Sequence, residues 1–142
     1  VKLAPDLDEE QQEELAKTAM DAEIDGLILT NTTLDRPEHL NSNFRNEKGG
    51  LSGQPLTEKS TQIVHNFYKL TGGKMPLIGV GGISNGRQAY EKIRAGASLV
   101  QVYSALVFKG PGLVEDINTE LLTLLKADGL SHISEAVGAA HG

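Results

Sequence analysis

"LIGVGGISNGRQAYEKIRAGASLVQVYSAL", Leu77 to Leu106, is the stretch that decides the fold. Leu77 to Val80 is a short apolar strand and Gly81-Gly82 a turn. From about Gly86 to Ala95 the apolar Ala89, Tyr90 and Ile93 fall on one helical face, and Gly96 stops the helix. Leu99 to Tyr103 is a second apolar strand. A strand, a crossover helix and a second strand in one sheet make a parallel, right-handed unit. The glycine pair lets main-chain N–H groups approach an anion, and Ser84 with Gly86 starts a helix whose positive end points the same way. After the second strand, Tyr103 to Phe108 is long enough for one helical turn, with the N–H and hydroxyl of Ser104 turned to the same place. Gly81-Gly82 alone could be no more than a tight turn. Two anion-directed turns on neighbouring strands argue for phosphate.

Working outward, the pattern repeats. Asp8, followed by Glu9, Glu10 and Gln11, is the capping-box start of a helix that runs to about Ala22, with Leu15, Ala19 and Ala22 as its apolar stripe. Leu27-Ile28-Leu29 is a strand apolar on both faces, and Thr30-Asn31-Thr32-Thr33 follows at its C-terminal end. Leu34 to Leu56 has neither helical nor strand period, and a loop of that length is functional or disordered. Glu58 to Leu70 is a helix with Ile63, Phe67 and Leu70 on one face. Gly112 to Ala127 is another, carrying Leu113, Ile117, Leu121, Leu124 and Leu125. Ser134 to Val137 adds a terminal turn.

With Val1 to Leu3 as the first strand, this is an α/β chain of four βα units, the C-terminal half of a TIM (β/α)8 barrel. Its sheet would have two open edges, so four further strands are expected from a partner or from sequence before Val1, where the chain opens in mid-strand.

The 142 residues are 39% hydrophobic and 23% charged, a composition that packs a core. Lys and Arg total 13 against 19 Asp and Glu, a net charge of −6 with no basic run, which excludes nucleic acid as a main partner. The lack of cysteine excludes disulfides and thiolate chemistry within these residues. No apolar run approaches the roughly 18 residues that span a bilayer. The four histidines, His39, His65, His132 and His141, have no metal-ligand spacing and read as surface or packing residues, so no metal site is expected.

Lys2 alternates with Val1 and Leu3, which points it into the barrel or its mouth, where a buried ammonium requires an anion. Asp6 is the ordinary candidate. Thr30, Asn31 and Thr32 offer hydroxyl and amide groups to a small polar substrate, or simply cap a turn. Ser52-Gly53 is a plausible backbone donor in the long loop.

Taken together, "KLAPDL" at Lys2 to Leu7, "LTNTT" at Leu29 to Thr33, "GGLSGQPL" at Gly49 to Leu56, "IGVGGISNG" at Ile78 to Gly86 and "RAGASLVQVYSAL" at Arg94 to Leu106 resemble the dihydroorotate dehydrogenases, in particular the quinone-linked class 2 enzymes. The resemblance covers essentially the whole chain and keeps the family's motif order. It implies a single FMN-binding (β/α)8 barrel domain, of which residues 1–142 are the C-terminal half. The activity it implies is oxidation of dihydroorotate to orotate in pyrimidine biosynthesis, with electrons passed to a ubiquinone-type quinone. By position in the motifs, Lys2, Thr30, Gly53, Gly82, Tyr103 and Ser104 correspond to cofactor contacts, and Asn31 and Thr32 to substrate contacts. Tyr103, Leu106, Val107 and Pro111 correspond to the barrel side of the quinone tunnel.

The resemblance places the catalytic serine before Val1, so no catalytic base is expected in these residues and the fragment alone should be inactive. It also implies peripheral membrane association through an N-terminal segment absent here, at the mitochondrial inner membrane or a bacterial inner membrane. Two other readings are open to the residues themselves: a phosphate-binding barrel enzyme without flavin, and a non-catalytic half-barrel binding module.

Overall fold

The computed structural model describes residues 1–38 and 40–142, and His39 lies outside the described residues. Four strands, β1 (Lys2–Leu3), β2 (Leu27–Leu29), β3 (Leu77–Val80) and β4 (Leu99–Gln101), form one parallel sheet in chain order. The helices are α1 (Glu9–Asp21), α2 (Thr57–Leu70), α3 (Gly86–Arg94), α4 (Ser104–Lys109), α5 (Leu113–Ala127) and α6 (Ile133–Ala136). Every strand is thus followed by a helix, and consecutive strands are neighbours, the order of half a (β/α)8 barrel.

The register explains which side chains go where. Lys2, Ile28, Ile78 and Leu99 are aligned across the sheet, as are Leu29, Gly79 and Val100 one residue on. Because side chains alternate, these two rows lie on opposite faces. The row with Leu29, together with Leu27 and Leu77, packs on the helices: Ala16 and Ala19 from α1 and Ile63, Val64 and Phe67 from α2 complete a core whose largest members are fully buried. Burying each such side chain is worth about 1.5–3 kcal/mol, so this layer holds the sheet to the helices. The row with Lys2 faces away from that core, and Leu99 in it is 63% exposed.

Local signals act as expected at several ends. Asp8 accepts from Gln11 N at 2.8 Å while Gln11 Oε1 accepts from Asp8 N at 3.1 Å, the complete capping box. Pro55 stands in a single 3₁₀ turn, Gln54–Leu56, that leads into α2. Differences lie in detail. Leu70 and Ala22 are exposed, because each occupies the last turn or cap of its helix, beyond the reach of the sheet; Val64 and Ala16 take the buried places instead. β4 ends at Gln101 rather than Tyr103, since Tyr103 already turns into α4.

The long segment after β2 is organised by polar nodes rather than by a core. Thr33 and Leu51 exchange backbone hydrogen bonds at 2.7 and 3.1 Å. The Arg36 guanidinium donates to the carbonyls of Leu34, Asp35, Arg45, Glu47 and Gly49 within 3.1 Å. His65 stacks on His141 at 4.0 Å, and His132 Nδ1 accepts from Ser134 N to cap α6, so these three histidines serve packing or capping.

Candidate functional site

At the C-terminal ends of the strands a cavity of about 570 Å³ opens, within the range of small-molecule sites. Lys2, Thr30, Asn31, Thr32, Gly53, Gly82, Tyr103 and Ser104 all line it, so the structure brings the residues expected at cofactor and substrate to one place, whereas Leu106, Val107 and Pro111 are not among its lining residues. β1 supplies Lys2. The end of β2 supplies the polar triplet, the long loop Gly53, the β3 turn Gly82, and the β4 end Tyr103 and Ser104.

One wall is built from backbone. Gly81 has φ +114° and Gly82 φ +70°, conformations that a side chain rarely tolerates. A Cβ on Gly82 would also lie 2.1 Å from Thr57 Oγ1. The reason for this close approach is a pair of anchors on α2: Ser60 Oγ donates to Gly81 O at 3.0 Å and Thr57 Oγ1 donates to Gly82 O at 2.9 Å. In a trans peptide the carbonyl and the next N–H point oppositely. Tying both carbonyls back to α2 therefore turns the N–H groups of Gly82 and Ile83 the other way, toward the cavity, and neither has an acceptor among the described residues.

The N-terminus of α3 plays a different part from the one anticipated. Asn85, not Ser84 or Gly86, is its cap and accepts from Gln88 N at 2.8 Å. Gly86 N donates to Glu120 Oε2 at 2.6 Å and Ser84 N to Gln88 Oε1 at 2.8 Å, so these donors are already taken. The glycine turn, rather than the helix end, offers free N–H groups. The Ser104 hydroxyl is likewise engaged, with Ser52 Oγ at 3.0 Å, while the backbone N–H of Ser104 opens α4 without an acceptor among the described residues.

On the opposite wall the Lys2 side chain is exposed rather than buried as expected, because no further strand covers β1 among the described residues, and it forms no ion pair or hydrogen bond with any of them. The sequence candidate for pairing with it, Asp6, is held elsewhere by Lys59, Thr33 Oγ1 and Leu34 N. Burial alone would raise Asp6, but the Lys59, Thr33 and Leu34 donors outweigh it and leave its carboxyl below the ordinary value. Between the walls, Thr30 is 1% exposed and donates to Asn31 O at 2.9 Å, and Asn31 Oδ1 accepts from Thr32 N at 2.9 Å. Sequence reasoning did not single out Gln101, Phe108 and Lys109, which also line the cavity; Lys109 Nζ donates to Ser84 O at 2.8 Å. No short-range motif marks them: Gln101 ends β4, and Phe108 and Lys109 reach the cavity from the last turn of α4.

A parallel βα array whose strand ends enclose a cavity, with an N–H cup on one side and a free ammonium on the other, is a barrel-type site able to accept an anion. Comparison with known proteins narrows that class. The pattern of the family "Dihydroorotate dehydrogenase" matches residues 1–125, and the chain belongs to that family.

It is 55% identical over 97% of its length to a dihydroorotate dehydrogenase (quinone) of Xanthobacter autotrophicus, covering 39% of that protein. It is 51% identical over 99% of its length to the mitochondrial dihydroorotate dehydrogenase (quinone) of Mus musculus, covering 36%. These relatives are the quinone-dependent members, and the chain spans less than two fifths of their length. Among solved structures, ligand-free DHODH from Eimeria tenella superposes with a TM-score of 0.98 at 44% identity, over all of this chain and 40% of that one.

Proposed function

We propose that residues 1–142 are the C-terminal half of a single FMN-binding (β/α)8 barrel domain that oxidises dihydroorotate to orotate and delivers the electrons to a ubiquinone-type quinone, in pyrimidine biosynthesis. The observation that carries this reading is the convergence on one cavity of an N–H cup, an unpaired ammonium and a polar triplet. Each has a complement in the proposed ligands.

The cup fits a phosphate of FMN: Gly82 N–H, Ile83 N–H and Ser104 N–H are its donors, and the φ values of Gly81 and Gly82 keep side chains out of its way. Lys2 and Thr30 fit the flavin ring, Lys2 because a cation at the ring edge favours the negative charge that reduction places there. Gly53 and Tyr103 complete that side. Bound FMN would supply the two-electron chemistry, accepting a hydride from dihydroorotate. The chain's own part is to bind and orient: Asn31 and Thr32 hold the substrate through amide and hydroxyl, with the Asn31 amide fixed by its bond to Thr32 N.

On this reading, which follows the family resemblance, the proton-abstracting base lies in sequence outside residues 1–142. In the same reading Tyr103, Leu106, Val107 and Pro111 border the quinone path. Tyr103 and Val107 are among the most exposed apolar side chains of the molecule. No helix among the described residues is long and apolar enough to cross a membrane. On the same reading, peripheral membrane association falls to a segment outside these residues. Relatives are both mitochondrial and bacterial, and we place the protein at the mitochondrial inner membrane, with a bacterial inner membrane as the alternative.

The test is a purified full-length protein carrying this chain. A bound flavin spectrum and quinone-dependent loss of dihydroorotate are expected, and Asn31→Ala should raise the dihydroorotate KM. A well-folded, colourless protein that takes up no FMN would sink the proposal.

A further inference from the structure

Lys92 is fully buried, 0% exposed, yet has no carboxylate in ion-pair contact among the described residues. A lysine on a helix normally sends its ammonium to water, and hiding it costs several kcal/mol unless the site is built for it. Here the site is built. Gly79 on β3 leaves a slot for the lysine stem: a Cβ there would stand 2.5 Å from Lys92 Cδ. At the end of the slot Nζ donates to Ser60 Oγ at 2.7 Å and to Thr61 Oγ1 at 2.9 Å.

Both hydroxyls pass the interaction on. Ser60 Oγ donates to Gly81 O, and Thr61 Oγ1 to Thr57 O at 2.9 Å, in the first turn of α2. Thr57 in turn holds Gly82 O. The ammonium therefore stands two hydrogen bonds behind the N–H cup and grips, through α2, both residues that hold its carbonyls.

From this geometry we infer that Lys92 is a positioning residue for the anion cup: through Ser60 and Thr61 it fixes the Gly81-Gly82 turn in its donor-presenting conformation and backs it with a buried cation, so that the site selects the phosphorylated form of its flavin. This rests on the FMN reading above. The state of the lysine agrees with such a role. Burial pulls its pKa down to about 7 against a raising effect from Glu91, so the group has little solvation of its own to lose when an anion arrives opposite it. Its hydrogen bonds are to neutral hydroxyls and Glu91 compensates its charge only in part, so the group is partly protonated near pH 7 and an anion held in the cup favours its charged form.

The experiment compares FMN with riboflavin, which lacks the phosphate, by fluorescence titration of flavin-depleted full-length protein. Wild type should prefer FMN. Lys92→Met keeps the stem and removes the donors and charge; its FMN affinity should fall roughly tenfold to a hundredfold while riboflavin affinity stays within about threefold. Ser60→Ala, which removes the link to Gly81 but leaves Lys92 its bond to Thr61, should shift the same ratio in the same direction, and decides the matter if the lysine variant does not fold.

An unchanged FMN-to-riboflavin ratio in the folded variants overturns the inference and leaves the FMN reading standing. So does an equal loss for both flavins, which would mark a general structural role. A folded wild type that binds neither flavin overturns the FMN reading itself.

Discussion

Lys2 and Lys92 are two lysines with opposite circumstances, and each yields a test. Lys2 lines the cavity without a partner, so Lys2→Met in the full-length protein should slow flavin reduction by dihydroorotate by about 10²-fold, the usual effect of removing one preorganised charge-stabilising donor, with a smaller change in KM. Stopped-flow reduction monitored by flavin absorbance measures it. Lys92 supplies a pH dependence. Its folded pKa of about 7 lies below the unfolded 10.5, so between these values the unfolded chain binds the extra proton and stability rises with pH. Urea unfolding of flavin-free protein from pH 7 to 9 should therefore show a contribution of up to about 1.4 kcal/mol per pH unit that Lys92→Met lacks. The other titratable groups nearby, Glu91 on α3 and Glu58 and His65 on α2, are retained in that variant.

The place of Lys2 at the cavity was legible because strand alternation sets it on the face away from the helices, but its burial was not borne out, since the side chain is exposed. Lys92 was not legible: nothing on its own helix says that Gly79, on another element, leaves the slot it fills.

At the scale of elements, the segment after β2 depends on two charged nodes. Arg36→Ala removes six carbonyl contacts at once, counting the longer one to Thr33 O, and Arg36→Lys restores few of them because one ammonium lacks the planar fork. Both variants should be cut faster than wild type in limited proteolysis within residues 40–50, with Ala and Lys nearly alike. Asp6 joins the end of β1 to Thr33, Leu34 and α2. Its depressed pKa means that its contribution is present above the ordinary aspartate value and is lost as pH falls through the folded one. Asp6→Asn should flatten the stability profile below about pH 4 and cost about 1–3 kcal/mol at neutral pH, read by denaturant midpoints.

The helices and strands themselves were readable from period and caps, since α1 and α3 carry their start signals within four residues. The course of residues 34–53 was not, because carbonyl acceptors carry no side-chain identity. The cap of α3 was misplaced by a residue because Ser84, Asn85 and Gly86 are all acceptable starts, and only the Glu120 carboxylate from α5 closes the end.

For the whole molecule, the four βα units pack one sheet face on helices and leave the other, with Leu99, open. If the proposed domain is right, that face is enclosed in the full-length protein. Leu99→Lys, which an exposed position would tolerate within about 0.5 kcal/mol, should then cost about 3 kcal/mol or more in that protein by urea denaturation. A near-neutral result would reject the closed barrel. The architecture followed from the strand-helix count, and the site from where the polar strand ends fall in it. What connects them, the hydroxyl rail along α2, stayed hidden because Thr57, Ser60 and Thr61 look like ordinary helix-surface residues until their partners are known.

That rail changes what a mutational survey of the cavity would see. The donors of the cup belong to peptide bonds, so replacing the side chains around it leaves those donors chemically intact. Sensitivity would appear instead on the far side of the turn, at alcohols and an amine that never meet the ligand. A map drawn from such losses would outline the support and leave the contact surface blank, and only proline or an ester bond, written into the backbone at Ile83 or Ser104, would delete a donor itself.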